Sequence, residues 1–457
     1  MRHFSRRSFC HTGAVLLGGL RFGALPGLFQ RQLLAGNAPE NRKLLFIFQT
    51  GGNDGVNTLI PRGDSNYNST TRPTLFISGT EAIDTGNGFA QFHPRLQPMT
   101  EVYNHSRLNG IDGPGNLAVL HRIGYAGQSQ SHFDSQQYWQ NGVPGNPDLE
   151  EGVFYRHLAS TLDLSRQDNA FVAAALSSAQ LVALKGASPV PNFTRAAQLN
   201  VTGSASRAAK YLGHLPTRPG GADGTGLMGL YGGSPDSPIK PYRDLVHSTG
   251  RLLGTTIQTL QDALARGAYT PENGAVYPNT EFGARLREAA MLFKRTPVRI
   301  IGTTIGGWDT HTNQGTANGT HGNLLNSLAL GFHALHRDLQ SQWDQLLIIT
   351  LTEFGRTSEE NGSGGTDHAD SSVMFAAGGR VLGGIYNCDA TTWKTGDLFS
   401  KSGRYLSRRT DFRAVFGEVF TRHFGDPVPL LDRLMPGYSQ AAAANPTTFQ
   451  PLGFLPA

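Results

Sequence analysis

Short, almost wholly apolar runs recur along the chain, and each ends in a polar or glycine-rich segment. They are KLLFIFQTGGNDG (43–55), NLAVLHRIGYAGQSQSHFD (116–134), NAFVAAALS (169–177), TPVRIIGTTIGGWDTH (296–311), QLLIITLTEFG (345–355) and SSVMFAAGG (371–379). Strands that are apolar on both faces suit a parallel sheet covered by helices on each side. Between them lie helical patterns at 242–267 and 321–344. The second carries Leu324, Leu325, Leu328, Phe332, Leu335 and Leu339 at helical spacing, which marks a core-facing stripe. This alternation predicts a doubly wound α/β fold with a mostly parallel sheet flanked by helices on both faces. A Gly- and Pro-rich stretch at 214–240 interrupts the pattern. Residues 180–295 therefore read as a helical and loop insertion in a domain spanning 41–430, with 431–457 as a C-terminal tail.

The 457 residues suffice for a large core, and 57 glycines with 16% charged residues suggest many loops around a buried framework. Beyond the first forty residues, no apolar stretch reaches the roughly 20 needed to span a bilayer, so no stable membrane span is expected. Residues 1–38 differ from the rest. They pair Arg6-Arg7 with a moderately apolar stretch and then small residues, the layout of an export signal, and Ser5-Arg6-Arg7-Ser8-Phe9 resembles the twin-arginine kind. A periplasmic or secreted protein that meets the twin-arginine export machinery is expected. The alternative is a basic amphipathic helix. That segment holds five arginines and no acids, so it accounts for the formal charge of +5 and leaves the remainder about neutral. The pI near 9.2 thus implies no nucleic-acid partner. Of the two cysteines, Cys10 would leave with the signal and Cys388 would have no partner for an intrachain disulfide.

In an open parallel sheet, ligands gather at the carboxyl ends of the strands. Four such ends carry reactive or metal-ligating residues here: Asn53-Asp54, Ser131-His132, Asp309 with His311, and Glu353, while Asp367-His368 follows in the next loop. Side chains two residues apart on an extended segment point the same way, so Asp309 and His311 can meet one cation. With His368 they form an O/N/N set that suits zinc or manganese better than an all-oxygen site does. Asp54 and Glu353, with Asp367 or Asn53, would form a second, oxygen-rich site. Two cations about 4 Å apart can clamp the attacking and leaving oxygens of a displacement at phosphorus or sulfur.

Each residue has a plainer role open to it. Asp54 suits a turn, and Asp309 could cap one. A lone His311 could lie on the surface, and Arg356 could pair with Glu353, whose unpaired burial would be costly. Ser131 reads as a helix N-cap with Asp134 three residues on. The same place sets its hydroxyl at the positive end of a helix, where it could act as a nucleophile, with Ser129 as the rival. His132 could be a ligand, an anion contact or simply packed.

In this order, GGNDGVNTLIP (51–61), SHFDSQ (131–136), GGWDTHTNQ (306–314) and TEFGRTSEENGSGGTDHAD (352–370) resemble the bacterial family known as domain of unknown function 1501. The resemblance runs from about 43 to 425. That family in turn resembles the alkaline phosphatase and sulfatase superfamily. The resemblance implies an alkaline-phosphatase-like fold, Asp54 as the first-strand aspartate, and Ser131 as the nucleophile. It also implies Asp309, His311 and His368 as ligands of one metal, and Glu353 where the superfamily has an Asp-His pair. Phe354 replaces the second residue of that pair, and the Asp-to-His spacing at 309–311 is two where four is common. No cysteine lies near position 131, which excludes formylglycine chemistry.

The expected function is an exported hydrolase of phosphate or sulfate esters, acting on a small-molecule or glycan ester with one or two divalent ions (Zn, Mn or Ca). Ser131 would attack, and Arg356 or His132 would steady the transferring anion. The alternative is a non-catalytic envelope protein that binds a metal or anionic glycan through a degenerate site. A redox protein lacks any haem or iron–sulfur cysteine motif.

Overall fold

The computed structural model describes residues 41–104, 115–199 and 240–457. The export-signal segment and residues 214–239 of the Gly- and Pro-rich stretch lie outside the described residues. The six apolar runs form strands β1 (Lys43–Thr50), β2 (Leu117–Gly124), β3 (Ala173–Leu176), β5 (Ile300–Gly306), β6 (Leu346–Thr352) and β9 (Ser372–Ala377). Short strands β4 (Asn192–Phe193), β10 (Gly384–Tyr386) and β11 (Thr410–Asp411) extend the sheet. Among the described residues it has nine strands in the order β10-β2-β9-β6-β1-β5-β3-β4, with β11 also paired to β2. A separate antiparallel pair, β7 (Gly355–Arg356) and β8 (His368–Ala369), sits at its edge.

Successive residues of each strand face opposite ways, and both faces are buried. Leu45 and Ile47 of β1 join one core, while Leu44, Phe46 and Phe48 join the other. Helices α4 (Lys240–Ala265), α5 (Glu281–Arg295) and α6 (Thr320–Asp338) cover the first face through Leu260, Leu286, Leu292, Leu325 and Phe332. Helices α2 (His132–Asn141), α3 (Val153–Thr161) and α7 (Phe412–Glu418) cover the second through Trp139, Phe154, Leu158 and Phe416. The result is a mixed α/β fold with a largely parallel central sheet between helices.

Three features add detail to the sequence reading. Strand β9 runs antiparallel to both β2 and β6. A parallel return needs a crossover, usually a helix, to carry the chain back to the starting edge. Residues 353–371 instead stay at the carboxyl edge, where they build β7 and β8, so the chain re-enters the sheet from that side. Within 180–295, β4 pairs with β3, and Leu286 and Leu292 of α5 lie in the main core. The segment 431–457 is no free tail: Leu431, Leu434, Met435, Phe454 and Leu455 are buried against the second face.

Four buried histidines make folding acid-sensitive. Burial holds His121 and His321 down to about 4, and His93 and His423 down to about 3. Below the usual value near 6.5, the unfolded chain takes up protons that the native chain refuses, so stability falls with pH. Each such histidine adds to that loss. It runs from about pH 6.5 to 4 for His121 and His321, and continues toward 3 for the other pair. Thermal melting followed from pH 7 to 4.5 is expected to show a steadily falling Tm, and a flat profile would contradict these burial assignments.

Candidate metal centre

The loop leaving β1 passes beneath the site in a conformation that only glycine adopts freely. Gly51 and Gly52 have φ of 119° and 82°. A Cβ at Gly51 would lie 2.3 Å from the Asp309 nitrogen, and one at Gly52 would lie 2.5 Å from the Phe354 ring. The exposed peptide groups are used at once. Gly51 N donates to Glu353 Oε1 at 2.8 Å, and the carbonyls of Gly51 and Gly52 accept from Arg356 Nη2 and Nε. Arg356 also donates to the carbonyls of Thr366 and Trp308, at 2.9 and 3.1 Å, and to Asp309 Oδ1 at 2.6 Å. This buried guanidinium therefore binds the β1, β5 and β6 loops together.

Above that clamp, four side chains converge. His311 Nε2 and His368 Nε2 lie 2.9 Å apart, and each is near Asp309 Oδ1, at 3.1 and 3.3 Å. His132 Nε2 faces the other oxygen, Asp309 Oδ2, at 3.4 Å. His132, Asp309 and His368 place one ligand atom each within 4.8 Å of one another. The far side of every imidazole meets an acceptor. His368 Nδ1 faces the Gln130 carbonyl at 2.8 Å, His311 Nδ1 faces Asp367 Oδ1 at 3.0 Å, and His132 Nδ1 faces Glu353 Oε2. A carbonyl can only accept, so His368 carries its proton on Nδ1, whereas His311 and His132 each meet a carboxylate at both ring nitrogens. The Nε2 lone pair of His368 then faces His311 Nε2 and a carboxylate oxygen. Ligand atoms around a tetrahedral zinc with bonds of about 2.0–2.1 Å are separated by roughly 3.3 Å, close to the spacings of 2.9, 3.1 and 3.3 Å among His311 Nε2, His368 Nε2 and Asp309 Oδ1.

Local structure accounts for the aim of each group. Asp309 and His311 turn to the same side, while Thr310 between them is buried and donates to Gln314 Oε1 at 2.8 Å. Ser131 caps α2, and Gln130 before it adopts φ of 57°, which turns its carbonyl onto His368. Strand pairing sets Arg356 opposite His368. The Phe354 ring packs on His368 at 4.2 Å and on His132 at 5.0 Å, forming an apolar wall. Burial raises the Asp309 carboxyl, but hydrogen bonding and charge from Arg356 outweigh it and hold the group below its usual value. Burial also lowers His368, which disfavours its charged form. Glu353, shut behind His132, is pushed up by burial. The site stays open to water, since about 46% of the Asp309 side chain is exposed.

Of the nine residues singled out in the sequence, Asp309, His311, His368 and His132 come together in one nest. Glu353 and Asp367 stand behind it, each orienting an imidazole rather than facing a second cation. Asp54 lies elsewhere: it caps α1 (Gly55–Thr58) and accepts from Arg72 Nη1 at 2.6 Å and Gln314 Nε2 at 2.7 Å. Both its oxygens are spent, which leaves no convergence with Asn53 or Glu353 on a second ion. Asn53 Oδ1 is itself turned toward Thr58 and His321. Arg356 is committed to carbonyls and Asp309, so it is not available to a substrate anion. Ser131 Oγ accepts from Asp134 N at 3.4 Å, the N-cap role. Its rival Ser129 is held in a hydroxyl network with Ser135 and Tyr125, at 3.1 and 3.4 Å. The sequence reading missed Arg72, Gln314 and Gln136. Gln136 donates to Glu353 Oε1 at 2.8 Å, and its place one helical turn after His132 was a usable signal.

No curated protein matches this sequence. Residues 255–397, which carry Asp309, His311, Glu353, Arg356, Asp367 and His368 but not His132, match the model of the family described as protein of unknown function (DUF1501).

Proposed function

We propose that the protein is an exported, metal-dependent hydrolase of phosphate or sulfate esters, with an α/β fold of the alkaline phosphatase and sulfatase type. The observation that carries the reading is the nest itself, in which three Nε2 atoms and a carboxylate converge while each Nδ1 is held from behind. His132, Asp309, His311 and His368 would hold one divalent cation, zinc or manganese by donor type. Such an ion stabilises the negative charge that grows on a transferring phosphoryl or sulfuryl group. The place of the nest, beyond the carboxyl ends of β1, β2, β5 and β6, is where open α/β sheets bind ligands.

Ser131 is the proposed nucleophile. The chain brackets it between two contacts with the nest, the Gln130 carbonyl on His368 and the His132 ring on Asp309. Its oxygen sits at the N-terminus of the ten-residue α2, where an anion is favoured. Ser131→Ala is expected to reduce release of phosphate or sulfate from an aryl ester by at least about 100-fold, the lower end of what a displaced catalytic group contributes. Metal content should remain that of the parent. If the parent protein, loaded with zinc, manganese or calcium, hydrolyses neither an aryl phosphate nor an aryl sulfate, the hydrolase reading fails.

One observation favours the second reading, a non-catalytic envelope protein that binds a metal or anionic glycan. Asp54, Glu353, Asp367 and Arg356 all serve structural contacts, so the site is pared to a single nest. That reading requires metal binding without ester hydrolysis. The export layout of residues 1–38 supports a periplasmic or secreted location for either. Among the described residues, no helix is long and apolar enough to cross a membrane.

A further inference from the structure

A tetrahedral oxyanion at the nest needs a cationic partner besides the metal, and Arg356 is spent on carbonyls and Asp309. The other nearby cations are mostly engaged as well. Arg72 is locked to Asp54 at 2.6 Å, and Lys401 reaches Asp370 at 3.2 Å. Arg404 differs. Its Nη2 lies 3.6 Å from Asp367 Oδ2, an ion pair beyond hydrogen-bond reach, and about 57% of its side chain is exposed. Asp367 in turn holds His311 Nδ1 at 3.0 Å, so the guanidinium stands one carboxylate away from a ligand of the nest.

The backbone beneath Arg404 is well positioned. Lys401 and Tyr405 exchange hydrogen bonds of 3.0 Å in both directions, and the turn between them uses Ser402 and Gly403 at φ of 56° and 64°. The Arg404 carbonyl accepts from Ser358 N at 3.1 Å, which pins the turn to the strand-end loop of the site. A fixed backbone thus carries a long side chain whose acidic contact among the described residues, with Asp367, is weak. Exposed pairs of this kind contribute little, about 0–1 kcal/mol, so leaving Asp367 for a stronger partner costs little. A guanidinium fork meets two oxygens of a phosphate or sulfate group at once, with geometry that a lysine lacks.

We propose that Arg404 swings from Asp367 to grip the terminal oxyanion of a ligand whose other oxygens face the nest, which makes it a specificity-determining residue for phosphate or sulfate groups. The ligand class rests on the hydrolase reading, whereas the test below measures binding alone. Zinc-loaded full-length protein is titrated calorimetrically with inorganic phosphate and, separately, with inorganic sulfate, and zinc affinity is measured by chelator competition. The preferred anion identifies which of the two groups the site takes. Arg404→Ala is expected to weaken that anion by at least about 10-fold, and Arg404→Lys to recover part of the loss, because it restores charge without the fork. Zinc affinity should stay within about 3-fold of the parent, unlike in Asp367→Ala, where loss of an orienting partner weakens metal binding. Unchanged anion affinity in Arg404→Ala would overturn the proposal, as would failure of the parent to bind either anion. Loss of zinc affinity equal to that of Asp367→Ala would also overturn it, by making Arg404 only a prop for Asp367. Anion binding that behaves as expected in a protein without esterase activity would sustain Arg404 and reject the hydrolase reading.

Discussion

His368→Ala is expected to weaken zinc binding by more than about 100-fold, beyond the 10–100-fold loss typical of removing an outer-shell partner. The substitution deletes an Nε2 that lies 2.9 Å from His311 Nε2 and 3.3 Å from Asp309 Oδ1, so the remaining donors no longer enclose an ion. Folding should suffer less, because the ring is part-exposed and its deletion leaves only the Gln130 carbonyl without its donor. The outer-shell comparison is Asp367→Ala, which keeps every ligand atom but frees His311 to rotate and change tautomer. A loss of about 10–100-fold is expected there. Chelator competition measures both variants. Equal zinc affinity in parent and His368→Ala would mean that the nest is a histidine–carboxylate cluster and no metal centre.

Asp54→Ala should destabilise the protein by about 3–5 kcal/mol, the usual penalty for stranding one member of a buried ion pair. Both Arg72 and Asp54 are fully buried, and the pair closes at 2.6 Å. Burial raises the Asp54 carboxyl, but the charge and hydrogen bonds of Arg72, aided by Gln314, overcome it and hold the group at about 2. A depressed carboxyl stabilises the fold above its unfolded value near 3.8, and that contribution is lost as pH falls through about 2. At neutral pH the full pair is therefore present to be broken. Arg72 would keep its bonds to the carbonyls of Ser358 and Thr357 but lose its counter-charge, and α1 would lose its cap. Replacing Arg72 by Met in the same protein should restore part of the loss, since it removes the stranded charge. Metal stoichiometry should not change in either variant. A drop from two ions per chain to one in Asp54→Ala would instead return Asp54 to a second metal site.

These expectations show where reading the chain succeeds. Phe46, Ile301 and Ile348 sit in almost wholly apolar runs, so both faces of their strands had to be covered, and the helices follow from the Leu325–Leu328–Phe332 stripe. Such patterns survive in sequence because burial acts on each residue separately. The spacing of Asp309 and His311 is likewise local, and alternation along an extended segment sends both toward His368. Glu353 and Asp54 were harder. A carboxylate that ends an apolar strand needs a partner, yet nothing local says whether that partner is an ion, an arginine or an imidazole. For Asp54 it is Arg72, and for Glu353 it is His132, 221 positions earlier in the chain.

The sequence by itself determined the layered α/β plan, the strand ends that carry chemistry, and the three residues Asp309, His311 and His368 as one set. Tertiary structure alone decided how the remaining charges are distributed. It reversed β9, turned Arg356 inward onto backbone carbonyls, and recruited His132 to the nest while placing Glu353 and Asp367 behind it. The reason is physical: a carboxylate or guanidinium acts as ligand, clamp or orienting partner according to which opposite charge or orphan peptide group lies within about 3 Å. That distance is set by loops meeting across the sheet edge rather than by neighbours in the chain.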